Sequence, residues 1–279
     1  MDYHWYPGHM TKTIRQMQED MKLIDLVIEI ADARLPRSSR NPDIETLAAG
    51  KARMILLNKA DLADPEGSEA WRRALEEEGL HPVLIDARKN GSLKSLTPMI
   101  LKACQEKIER DRRRGIQNRP VRAMVAGIPN VGKSTFINSF AGSAAAKTGN
   151  KPGVTRGKQW IRMNKQVELL DTPGLLWPKF EDQEVGKRLA MIGSIRDEVL
   201  NTEELSLEVI AFLAGNYPGK LAERYGVSVE EIPADVLTAV GRRRGCLVRG
   251  GEIDTEKAAR LLLEEFRAGT IGRFTLERP

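Results

Sequence analysis

The sequence predicts an α/β domain with a mostly parallel sheet and flanking helices, followed by a small all-α domain. Three observations carry this. Apolar runs at 26–30, 52–57, 121–127 and 167–170 each end in a polar or glycine-rich motif, as buried parallel strands do. The run Gly127-Ile128-Pro129-Asn130-Val131-Gly132-Lys133-Ser134 demands a strand, a tight loop and a helix in that order. Beyond Phe180 the apolar spacing becomes helical and no strand pattern recurs. The expected domains are 1–178 and 179–279.

In chain order, a helix is expected over about 11–23, then a strand at 26–30 ending in Ala31-Asp32-Ala33-Arg34-Leu35-Pro36. The next strand, 52–57, ends in Asn58-Lys59-Ala60-Asp61, and a third run leads into Asp86-Ala87-Arg88. Residues 93–108 carry apolar positions at helical spacing, whereas 109–120 is charged, contains Pro and Gly, and lacks that period, so it reads as a join. The strand 121–127 and the helix 134–140 flank the glycine loop, and strand 167–170 runs into Asp171-Thr172-Pro173-Gly174. Further helices are expected at 205–213, at 233–243 capped by Gly245, and at 255–268 closed by Gly269.

The glycine loop is a phosphate cradle. Amides from Asn130, Val131 and Gly132 through Thr135 would face a β-phosphate at a helix N-terminus, Lys133 would reach the β- and γ-oxygens, and the Ser134 hydroxyl would bind magnesium. Asp171 at a strand end would hold the same ion through water. The Gly174 amide would meet the γ-phosphate, and Thr155, in the polar loop between these motifs, could give the metal a second hydroxyl.

Asn58-Lys59-Ala60-Asp61 selects a base. The Asp61 carboxylate matches the two N–H donors of guanine, and adenine presents no such pair. Lys59 would lie along the base plane and Asn58 would tie this loop to the phosphate loop. At the third strand end, Asp86 and Ala87 would complete the base site, chiefly through the Ala87 amide.

Together these motifs resemble the guanine-nucleotide fold of translation-factor-type GTPases in circularly permuted order, since the base motif precedes the phosphate loop. With Trp5-Tyr6-Pro7-Gly8-His9-Met10 and Asp32-Ala33-Arg34-Leu35-Pro36, the chain resembles the YlqF/RbgA family of ribosome biogenesis GTPases from end to end. That resemblance implies GTP hydrolysis triggered on a precursor of the large ribosomal subunit, late in its assembly in the bacterial cytoplasm. It also implies that the helical domain binds rRNA. After Asp-Thr-Pro-Gly, where many GTPases carry a water-orienting glutamine, stands the apolar Leu175. The permutation places His9 at the start of the helix that borders the γ-phosphate in the unpermuted fold, so His9 is the candidate to act on the water, beside Lys133 as a catalytic cation. Asn130 resembles GTPases that bind potassium beside the phosphates, so K+ is a possible second cofactor to Mg2+.

Composition agrees. The net charge is +5, but Met1–Phe180 holds 30 Lys/Arg against 21 Asp/Glu and the remainder 14 against 18. The helical part is therefore no generic basic arm, and RNA contact there falls to Arg242, Arg243, Arg244 and Arg249, with Arg110 and Arg112–Arg114 as the rival patch. No membrane or DNA partner is expected, and two cysteines without metal or disulfide spacing read as reduced structural thiols. A switch acting on a non-ribosomal partner is the alternative; an ATP-using kinase is opposed by Asp61.

Overall fold

A computed structural model describes residues 9–93, 95–142, 159–172, 182–228 and 232–279, without the side chains of residues 9–14, 90, 92, 159 and 199. The chain divides into two compact units, 1–185 with 275–279, and 186–274. The first is built on one six-stranded sheet. Its strands are β1 (Leu26–Asp32), β2 (Ala52–Asn58), β3 (Pro82–Leu84), β4 (Val121–Ala126), β5 (Gln159–Arg162) and β6 (Val167–Asp171), in the spatial order β3-β2-β1-β4-β6-β5. Every neighbouring pair is parallel except β5 with β6. The mostly parallel sheet is thus as the sequence predicts.

The register explains why the motifs meet. Asp32 lies opposite Asn58 and Val125 opposite Asp171, so the carboxyl ends of β1, β2, β4 and β6 share one edge of the sheet. β1 and β4 are neighbours although β2 and β3 intervene in the chain, and strand order reverses there, which opens the crevice used by ligands in doubly wound sheets. β1 is buried along its whole length. Its one mid-strand charge, Glu29, is matched by Arg40 at 3.2 Å and Arg53 at 3.8 Å.

The segment 90–120 differs from expectation. The single helix 93–108 is three pieces, Asn90–Leu93, Leu96–Ala103 and Gln105–Arg113, broken at Cys104, whose φ of −103° and ψ of 13° leave helical geometry. The last piece runs into the charged join because i,i+4 pairs support it in place of an apolar stripe: Gln105 donates to Glu109 at 2.9 Å and Lys107 pairs with Asp111 at 2.6 Å. Lys107 and Arg119 both reach Asp25, at 3.3 and 3.5 Å, and Asp25 Oδ2 accepts from the Arg122 amide at 3.0 Å. The join is therefore pinned at the start of β1 and β4.

The second unit is helical, as expected. It holds Thr202–Asn216, Lys220–Tyr225, Pro233–Arg243 and Thr255–Arg267, the first and last N-capped by Asn201 and Asp254. Leu213, Val236, Val240, Leu262 and Phe266 are buried, and Phe274 stacks on Phe266 with ring centroids 5.3 Å apart. A lone antiparallel bridge, Leu247 to Ile253, is its β structure among the described residues. Residues 275–279 return to the first unit, whereas the sequence expectation assigned everything after 178 to the second domain. Both cysteines are free and buried, and burial pushes the Cys104 thiol up to about 11. No described helix is long and apolar enough to cross a membrane.

Candidate guanine-nucleotide site

The phosphate loop leaves β4 and enters the helix Lys133–Ala141. Two of its glycines are required by close approach. A Cβ on Gly127 (φ +150°) would lie 2.4 Å from the Ile30 carbonyl oxygen, and one on Gly132 (φ +98°) would lie 2.3 Å from Asn58 Nδ2. Lys133 is buried, and its ammonium donates to the carbonyls of Gly127 at 3.0 Å and Ile128 at 2.8 Å. Burial brings its pKa down to about 8, with Asp171 opposing the fall. Ser134 follows it in the first helical turn.

Asp171 ends β6 and is buried, and its Oδ1 has no hydrogen-bond partner. Burial pushes this carboxyl up to about 6 against the pull of Lys133 and the Thr172 amide. The Thr172 hydroxyl donates to the Val125 carbonyl at 2.7 Å, fixing the end of β6 to β4 beside the phosphate loop. An orphaned carboxylate oxygen and a serine hydroxyl suit a hard divalent cation. Among the described residues no group of three or more His, Cys, Asp or Glu could hold a metal. None is needed for magnesium that keeps its waters and takes oxygens from phosphate. Thr155 and Gly174 lie outside the described residues, as does the His9 side chain, although His9 opens the helix His9–Asp20.

The raised Asp171 pKa has a measurable consequence. A folded-state carboxyl above its ordinary value contributes stability at low pH that is lost as pH rises through about 6, and cation binding requires the ionised form. Binding of magnesium and GDP at pH 6 is expected to release about half a proton more from the wild type than from Asp171→Asn. Calorimetry in two buffers of different ionisation enthalpy reads this; equal release from both proteins would show that the ion does not meet Asp171.

At the end of β2, Asn58 is buried and laces three loops together. Its Nδ2 donates to the Val131 carbonyl at 2.7 Å and its Oδ1 accepts from the Ala87 amide at 2.9 Å. Lys59 is held at φ +61° and donates to the Asn130 carbonyl at 2.7 Å; Asn130 itself is at φ +61°. Such left-handed non-glycine residues cluster where a loop is shaped for a ligand. The Ala87 amide, expected to face the base, is taken by Asn58, because the third strand end packs directly on that side chain. The Asp86 carboxylate accepts from the Arg88 amide at 3.0 Å and Nε at 3.1 Å. Asp61 ion-pairs with Arg88 through Oδ2, while its Oδ1 is buried without a partner. Arg88 was not singled out by sequence, where it is merely the residue after Ala87.

In the second unit, Arg244 pairs with Glu265 at 2.5 Å, but that one carboxylate is shared with Arg224 at 2.6 Å and the Tyr225 hydroxyl at 3.0 Å. Arg243 donates to the Gly226 carbonyl at 3.4 Å, leaving its charge unmatched by that contact. Arg242, Arg243 and Arg249 are exposed, as are Arg112, Arg113 and Arg114 in the first unit.

Comparison with known proteins agrees with this geometry. Residues 122–219 match the family model described as 50S ribosome-binding GTPase. The chain is 46% identical over 283 residues to ribosome biogenesis GTPase A of Priestia megaterium, covering 100% of this chain and 98% of that protein. Among solved structures it resembles GDP-bound YlqF (TM-score 0.69, 26% identity, 95% of this chain and 99% of that one). GNP-bound YlqF from T. maritima gives a TM-score of 0.68 at 25% identity, over 96% of this chain and 98% of that one. With its motifs gathered on one sheet edge and similarity along its whole length, this chain belongs to the ribosome biogenesis GTPase A family.

Proposed function

We propose that this GTPase of ribosome biogenesis binds a late precursor of the large ribosomal subunit in its GTP state, through rRNA, and leaves after hydrolysis in the cytoplasm. Asn58 supports the nucleotide half of this reading most directly. One buried side chain joins the base loop, the phosphate loop and the third strand end, so a nucleotide at any one of them is coupled to the others. Lys133 would exchange its two carbonyl partners for β- and γ-phosphate oxygens, which also supply the charge that its buried ammonium lacks. Ser134, Asp171 and Thr155 would hold magnesium, which offsets charge on the transferring phosphoryl group. Asp61 reads guanine, the amides of residues 130–135 and Gly174 take the phosphates, and a potassium ion beside Asn130 would supply further positive charge.

For the RNA, Arg242, Arg243 and Arg249 carry the reading better than Arg244, whose guanidinium is already held by the Glu265 carboxylate that it shares with Arg224. Co-sedimentation with large-subunit precursors tests it. Association is expected to be stronger with a non-hydrolysable GTP analogue than with GDP, and to weaken with salt by roughly 0.9 log units per log unit for each duplex phosphate contacted. Neutralising Arg242, Arg243 and Arg249 together should flatten that slope by about two to three such contacts. An unchanged slope transfers the contact to Arg110–Arg114, and nucleotide-independent association with no salt dependence would favour a switch acting on another partner.

A further inference from the structure

Asp32, at the carboxyl end of β1, is fully buried, and so is Arg34 two residues on. Arg34 Nε donates to Asp32 Oδ1 at 2.9 Å and Nη2 to Oδ2 at 2.8 Å, while the Asp32 amide donates to Ser39 Oγ at 2.8 Å. This buried pair is not closed on itself. Asp32 Oδ2 also meets the Lys59 ammonium at 3.0 Å, the same ammonium that donates to the Asn130 carbonyl. A buried ion pair is weak evidence for stability, since apolar residues of like volume serve as well. One that shares its carboxylate with a ligand-loop lysine fixes that lysine's direction.

The loop after β1 is held in turn by the C-terminal tail. The Leu276 amide donates to the Arg34 carbonyl at 2.8 Å. Glu277 Oε1 accepts from the Arg37 amide at 2.5 Å and the Ser38 amide at 3.0 Å, and Oε2 accepts from the Ser38 hydroxyl at 2.5 Å. The Glu277 carbonyl is itself fixed by Trp71 Nε1 at 2.9 Å. A glutamate satisfied by one turn of backbone is a clamp on that turn.

We infer that Asp32 is a positioning residue for guanine-nucleotide binding: it aims Lys59 from the base loop across to the phosphate loop, and the tail residues Leu276 and Glu277 hold the Arg34 loop that seats Asp32. The inference rests on Asn58-Lys59-Ala60-Asp61 being the base-reading loop. Asp32 acts through Lys59, so its removal matters where Lys59 is present and not where Lys59 is gone. A residue that merely stabilised the fold would weaken binding equally in both backgrounds.

Titration with a fluorescent GDP analogue of the full chain, Asp32→Asn, Lys59→Met and the double variant forms the cycle. Each single change is expected to weaken GDP binding roughly tenfold, the scale of one charge-assisted hydrogen bond, and the double variant should bind no more weakly than Lys59→Met alone. In Asp32→Asn the KM for GTP should rise while kcat at saturation stays within about twofold, since no group facing the γ-phosphate is touched. Glu277→Gln should weaken binding about threefold, again only where Lys59 is present. Additive losses, or wild-type affinity in Asp32→Asn, would overturn the role of Asp32; wild-type affinity in Glu277→Gln would overturn that of the tail. Full GDP affinity in Lys59→Met would instead remove the base-loop reading itself. Should Asp32→Asn not fold, Arg34→Lys, which keeps the charge but gives up one of the two bonds to Asp32, carries the same cycle.

Discussion

Asp61→Asn is expected to weaken GTP and GDP binding by roughly 100- to 10,000-fold and to confer binding of xanthine nucleotides. Two parallel bonds from guanine to a carboxylate contribute roughly 1.5–3 kcal/mol each, and about 1.4 kcal/mol is tenfold in affinity. An asparagine amide keeps one acceptor but sets a donor against a guanine donor; xanthine offers a carbonyl at that place. The buried Oδ1 without a partner is an acceptor awaiting such a donor. Arg88, on Oδ2, is the competitor. It is 63% exposed, and an exposed ion pair contributes about 0–1 kcal/mol, so the base displaces it at small cost. Arg88→Ala should accordingly leave GTP affinity within a few-fold of wild type. Titration of Asp61→Asn with GDP and with xanthosine diphosphate checks the assignment; unchanged affinity for GDP would remove Asp61 from the base site.

Most of the sheet was legible because a buried parallel strand declares itself twice, by an apolar run and by the motif at its end. β1, β2, β4 and β6 all do so, and the order of those motifs is enough to expose the permutation. What the sequence hid are contacts without a local pattern. The helix Gln105–Arg113 is built on charge pairs, and periodicity of apolar residues cannot see it. The tail Thr275–Pro279 reads as an ordinary terminus after a helical domain, yet Glu277 clamps a turn some 240 positions earlier in the chain. In the base site, what the sequence does not state is the division of hydrogen bonds. The Ala87 amide serves Asn58, and Asp86 serves Arg88, because a backbone donor goes to the nearest buried acceptor and sequence does not state distance.

His9→Ala is expected to leave GTP affinity nearly intact while hydrolysis on the ribosomal particle falls by roughly 100- to 10,000-fold, the usual contribution of a positioned polar or acid–base group. The helix His9–Asp20 feeds through Met21–Leu23 directly into β1, and β1 pairs with β4, the strand that delivers the phosphate loop. A helix that precedes β1 therefore starts from the segment that, in an unpermuted chain, would follow Asp-Thr-Pro-Gly. His9 is its first residue, and Leu175 cannot orient water by hydrogen bonding. In the proposed reading Lys133 and magnesium would offset charge on the transferring phosphoryl group, and orienting the attacking water falls to another polar group. Loss of that group blocks turnover without removing a nucleotide contact, and the variant should stay trapped on the precursor in its GTP state. Single-turnover hydrolysis with and without particles, beside GTP titration of the same preparation, separates the two effects. Wild-type stimulated turnover in His9→Ala would make His9 a helix-start residue only and leave the water to a group supplied by the ribosomal particle.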